Sequence, residues 1–169
     1  MYVSSISLKY VTVFWFDFSD HYGNVTAQVE YTGVSERWNF PALYHQKGFT
    51  SEDSALSLDV IFIDTVDLAG TAVTNDEEDP RYYDKLAYRP KAAAATQGDW
   101  IEEQRKASTA DYLIVAGHYP MYSVCQHGPT GNLIENLKPL LIEHGAHYMA
   151  GHDHCMWVAS SVCWIFAVF

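Results

Sequence analysis

Two segments of this chain share one plan. YLIVAGH at residues 112–118 and HYMAGH at residues 147–152 each run apolar residues into Ala-Gly-His. A third run, LSLDVIFIDTV at residues 56–66, is equally apolar and β-rich. Short, nearly continuous apolar runs bounded by glycine or turn residues suit strands buried on both faces. Helical patterns separate them. KAAAATQGDWIEEQRKAS places Ala93, Trp100, Gln104 and Ala107 near one face, with Glu102, Glu103, Arg105 and Lys106 on a charged outer face. NLIENLKPLLIEHG spaces Leu133, Leu137, Leu140 and Leu141 for a helix, with Pro139 set to kink or restart it and Gly145 to end it. Strand, helix, strand, helix, strand predicts an α/β fold. Ligands of open α/β sheets sit beyond the carboxyl ends of the strands, so His118 and His152 should share one rim.

That rim invites metal chemistry. His154 follows His152 by two residues, and in an extended segment the two would point the same way, roughly 6.5 Å apart. That gap suits two imidazoles reaching two metals about 3.5–4 Å apart, and neutral imidazole is a common ligand for zinc and iron. The competing reading makes these capped or solvent-facing loop histidines. His127 lies in SVCQHGPTGN, a loop with turn residues on its far side. There it could bind phosphate or pass a proton, or be an ordinary loop histidine. Asp64 ends the first run and reads either as a metal carboxylate or as a cap on the next turn. Asp153 has no ligand role that its position supports. His21, His45 and His147 show no partner pattern, and His144 reads as a cap on its helix end.

Composition narrows the field. The formal net charge is −11, which argues against a nucleic-acid or anionic-membrane surface. With 49% apolar residues the chain can bury a core and is not a disordered sequence. Cys125, Cys155 and Cys163 are an odd number with no CxxC spacing, so the expectation is buried free thiols. The amino-terminal run MYVSSISLKYVTVFWF is a poor signal peptide, and VASSVCWIFAVF near the other end is too short for a membrane span. The segment NDEEDPRYYD reads as a solvated acidic loop without the ligand order of an EF-hand.

Taken in order, GHYP, HGPT and GHDH resemble the metal core of the purple acid phosphatases, the short tartrate-resistant type. The segment SDHYGNVTAQVEYTGVSERWNFP resembles the stretch after that family's GNHD motif, so the resemblance covers about residues 20–157. It implies a metallophosphoesterase fold, a four-layer α/β/β/α sandwich present here in part. It implies hydrolysis of phosphomonoesters, small or carried on phosphoproteins, at a dinuclear centre of Fe(III) with Fe(II), Zn or Mn. Carried over by residue, His118 and His152 match ligands of the divalent metal and His154 a ligand of the ferric site. His127 matches the catalytic histidine near the substrate. Asn24 opens the glycosylation sequon NVT, and family members are secreted or lysosomal.

The sequence also departs from the family. It contains neither the GDxG nor the GDxxY motif, and Phe18 and Ser19 stand where GNHD has its asparagine and histidine. A phenyl ring offers a metal no lone pair. Residues 1–16 and 158–169 have no counterpart in the resemblance, which leaves residues 17–157 as a partial calcineurin-like domain. The expectation is a truncated phosphatase, inactive as it stands, with a single-metal-binding module or a non-functional fragment as alternatives.

Overall fold

The computed structural model describes residues 25–36, 38–69, 91–153 and 155. Within them the three apolar runs become parallel strands β2 (Ser57–Phe62), β3 (Tyr112–Gly117) and β4 (His147–Ala150). A fourth, β1 (His45–Thr50), pairs antiparallel with β2, and the sheet order is β1-β2-β3-β4. The sequence HQKGFT has too little apolar pattern to predict β1. As an edge strand it is held by its hairpin with β2 rather than by burial on both faces.

Helix α2 (Thr65–Ala69) follows β2, and α3 (Lys91–Ala107) precedes β3. Between β3 and β4 a π-helical turn (Leu133–Leu137) runs into α4 (Lys138–Glu143). The wide turn lies just before Pro139. Proline supplies no N–H for an i−4 carbonyl and its ring crowds that turn, so the helix widens there instead of breaking. Gly145 ends α4 with φ +63°, and the Ala146 N–H closes on the Leu141 carbonyl at 3.1 Å. That is the left-handed stop glycine provides without a Cβ penalty.

The register sets Ile61, Val115 and Tyr148 in one row across β2, β3 and β4. All three are fully buried and join one core with Val66, Ala69, Ile101, Leu133, Leu137 and Leu141. The helices therefore cover this face of the sheet. On the opposite face Phe62, Ile114 and Met149 are half-buried.

Two details correct the helical reading. On α3 the deeply buried positions are Gln97, Ile101 and Arg105, four apart, whereas Ala107 is exposed. Arg105, expected on the outer face, is 2% exposed and donates to the Leu140 carbonyl near the end of α4. A guanidinium can be buried there because it meets the free carbonyls of a helix carboxyl end, with Glu143 3.9 Å away. The segment 25–40 contains a short helix, α1 (Val25–Tyr31), that the sequence pattern does not predict. Trp38 Nε1 donates to the Gln28 carbonyl at 2.8 Å, and its ring meets Tyr31 edge-on at 5.9 Å.

Candidate metal and phosphate site

The site stands on the ends of β3 and β4. Ile114 pairs with His147 and Gly117 with Ala150, so the two Ala-Gly-His endings leave the sheet side by side. The Gly151 N–H donates to the His118 carbonyl at 3.0 Å and ties them together. Gly117 is there for packing. A Cβ on it would lie 2.4 Å from Thr65 Cγ2, 2.9 Å from Tyr148 Oη and 3.0 Å from Ile63 Cγ1. Its bareness lets the start of α2 press against β3.

The residue after His118 is clamped from two sides. Thr65 Oγ1 accepts the Tyr119 N–H at 3.0 Å, and buried Tyr148 donates its hydroxyl to the Tyr119 carbonyl at 2.6 Å. Burial pushes the Tyr148 phenol well above its ordinary value, so it stays a donor. Asp64 belongs to this support. Its Oδ1 accepts the N–H groups of Val66 and Asp67 at 3.0 and 3.3 Å, which is the capping role. Gln97 spans the Asp64 backbone, accepting its N–H at 2.8 Å and donating to its carbonyl at 3.0 Å.

His152 is not in an extended segment. Its φ is +74°, and the Asp153 N–H reaches back to the Gly151 carbonyl at 2.9 Å. This i-to-i+2 closure is a γ-turn centred on a non-glycine residue, a strained arrangement typical of functional positions. The extended spacing expected of His152 and His154 therefore fails at its first residue. His154 lies outside the described residues, as do Asn24 and the segment Asp17, Phe18, Ser19 and Asp20.

The reversal aims the His152 ring into the rim. Its Nδ1 stands 3.0 Å from His118 Nε2, and the two rings meet edge-on at 4.8 Å. His127 packs against the same His152 ring with centroids 4.2 Å apart, and is itself exposed. Three of the four histidines singled out by sequence are thus in one cluster. A separation of 3.0 Å suits two ligand nitrogens each about 2.0–2.1 Å from one ion. A single shared proton between the same nitrogens makes the pair a hydrogen bond. Among the described residues no group of three or more His, Cys, Asp or Glu side chains is placed to hold a metal. The donor set on hand fits part of a metal site.

Two features of the site are not legible in the sequence. Cys125 and Cys155 form a disulfide, with Cα atoms 6.5 Å apart, which corrects the expectation of free thiols. The bond joins the His127 loop to the loop after His152. The signal is the position of each cysteine, two residues before His127 and one after His154, rather than their number. The second feature is Asp153, fully buried, whose Oδ1 accepts the His127 N–H at 3.0 Å. Burial alone would raise its carboxyl, but the Ser123 hydroxyl, the His127 N–H and the His127 and His152 imidazoles hold it below the ordinary aspartate value.

No family model matches the chain. Curated relatives do. The chain is 41% identical over 139 residues to tartrate-resistant acid phosphatase type 5 of Rattus norvegicus, covering 80% of this chain and 40% of the relative. The chain is a partial homologue of the purple acid phosphatases. Purple acid phosphatase 17 of Arabidopsis thaliana is 38% identical over 102 residues, covering 59% of this chain and 29% of the plant protein. The chain thus spans about two fifths of the length of the tartrate-resistant acid phosphatases it matches. Its mixed sheet and helices are part of the metallophosphoesterase fold. In three dimensions the chain also matches GAP50, the anchor in the inner membrane complex of Plasmodium, with a TM-score of 0.66 and 24% identity, covering 86% of this chain and 44% of that one. Among the described residues no helix is long and apolar enough to cross a membrane.

Proposed function

We propose that these residues form part of a phosphomonoesterase centre of the purple acid phosphatase kind. The observation that carries this reading is the 3.0 Å approach of His118 Nε2 to His152 Nδ1, with His127 against the same ring. In this reading His118 and His152 hold a divalent ion, Fe(II), Zn or Mn, and His154 belongs to a neighbouring Fe(III). When bound, the metal pair supplies Lewis-acid stabilisation of the charge that develops at phosphorus.

The chain's own residues do the rest. Gly117 and the clamp on Tyr119 fix the angle at which His118 leaves β3. The γ-turn at His152 gives up backbone comfort to point its Nδ1 at His118. His127 is exposed above them, where its imidazole can donate to a phosphate oxygen or protonate the leaving alcohol. The substrate is a small phosphomonoester or a phosphoprotein. The net charge of −11 disfavours nucleic acid and anionic membranes.

A secreted or lysosomal location is supported by the Cys125–Cys155 disulfide, which oxidising compartments preserve. The NVT sequon at Asn24 fits the same route and would carry a glycan.

The sequence has no GDxG, GDxxY or GNHD motif, so the carboxylates that balance Fe(III) are not among these residues. These 169 residues alone are expected to bind one divalent ion without turning over p-nitrophenyl phosphate. Zinc titration of the chain, with His118→Ala and His152→Ala beside it, tests the reading. One site lost in both variants supports it, and zinc uptake unchanged in His152→Ala sinks it. The same titration separates a non-catalytic metal module, which binds zinc in a setting that never supports turnover, from a fragment that binds none.

A further inference from the structure

We propose that Asp153 is the positioning residue that seats His127 over His152. The γ-turn at His152 sends the chain back on itself and drives the Asp153 side chain into the interior, where it is fully buried. There its carboxylate meets the 123–127 loop. Oδ1 accepts the His127 N–H at 3.0 Å. Ser123 Oγ accepts the Cys125 N–H at 3.0 Å, and the Gly128 N–H closes on the Cys125 carbonyl at 3.2 Å. One buried carboxylate therefore holds this turn at His127.

His127 needs such an anchor. Its ring is exposed, so its place is set by its backbone rather than by a surrounding pocket. The disulfide at Cys125 ties the loop to Cys155 but leaves the His127 peptide free to swing about the intervening single bonds. The bond from Asp153 removes that freedom at His127 itself. The aspartate inside GHDH thus acts on the substrate-side histidine, not on a metal. This inference rests on the proposed function only for what His127 does once in place, not for what holds it there.

The test uses the whole chain with no metal and no substrate, so it stands apart from the zinc titration. In Asp153→Ala the nuclear Overhauser contact between the His127 and His152 rings should vanish. Reaction of His127 with diethylpyrocarbonate, followed peptide by peptide, should quicken about three- to tenfold, the net worth of one ordinary hydrogen bond. Asp153→Asn keeps an acceptor oxygen and should restore both readouts, which a loss of packing alone would not predict. An intact ring contact in folded Asp153→Ala overturns the proposal, as does Asp153→Asn behaving like the alanine variant. If Asp153→Ala does not fold, amide exchange in the unaltered chain decides. The His127 N–H should exchange about tenfold or more slowly than that of Gln126, and equal rates overturn it.

Discussion

At each end of the sheet one aspartate ties two segments together, and the two ends differ in everything else. Beyond the carboxyl ends of β3 and β4, Asp153 is fully buried and holds the His127 N–H. At the amino ends of β2 and β3, Asp111 is exposed, and its Oδ2 accepts the Ser57 N–H at 2.7 Å and the Ser57 hydroxyl at 2.8 Å. The bonds are alike in length. The surroundings are not. The Asp111 bonds compete with water at every moment, whereas that of Asp153 lies in the interior, where an unmet polar group costs far more. The site end also has a disulfide, a glycine whose bareness the packing requires and a clamped peptide after His118. It is over-determined, which is what allows it to hold His152 at φ +74°.

Four expected outcomes test this contrast, from largest to smallest. Removing the covalent tie with Cys125→Ala and Cys155→Ala together should cost about 3 kcal/mol in urea unfolding, the usual worth of a disulfide closing a loop of this order. If the two ends were equally determined, the loss would be smaller and hydrogen exchange would rise at both. We expect it to rise around His127 and leave Ser57 unmoved.

Gly117→Ala should cost about 1–3 kcal/mol through overpacking against Thr65, Tyr148 and Ile63, read by thermal or urea unfolding. Weaker zinc uptake through a displaced His118 should accompany it. Tyr148→Phe should cost about 1–2 kcal/mol, because the Tyr119 carbonyl loses its buried donor. A loss near zero would show that the clamp is redundant.

The smallest effect belongs to Asp111. The Ser57 hydroxyl and then its N–H hold the Asp111 carboxyl below its ordinary 3.8. A carboxyl depressed by folding adds stability that is fully present above 3.8 and is lost as pH falls through the lower folded value. Asp111→Asn should therefore flatten a slight drop in stability in that acid range, because the same slight stabilisation is already missing at neutral pH. A neutral-pH loss as large as that of Tyr148→Phe would mean that this end is not the loosely determined one.

The apolar runs are legible because a strand buried on one face and half-buried on the other has little choice of residue. Ile61, Val115 and Tyr148 mark their strands wherever they occur. β1 is not legible, since HQKGFT owes its extended form to pairing with β2 and not to its own pattern. The buried face of α3 is hidden for a related reason. Arg105 looks like a surface residue until a helix carboxyl end supplies carbonyls to its guanidinium. The line Asp64 to Val66 continues an apolar run and reads as strand, but Asp64 caps a helix because Gln97, distant in sequence, clamps its backbone.

The sequence by itself determined the α/β alternation, the shared rim of His118 and His152 and the kinship with the purple acid phosphatases. These depend on local pattern and on residue types that few other positions would keep. The tertiary structure alone decided the γ-turn at His152, the Cys125–Cys155 bond and the burial of Asp153 beneath His127. Each arises where two loops far apart in the chain meet, and a contact of that kind leaves no periodicity in either loop. An aspartate between two histidines looks the same in a solvated loop as in a buried anchor. Only the path of the chain after β4 makes it the second.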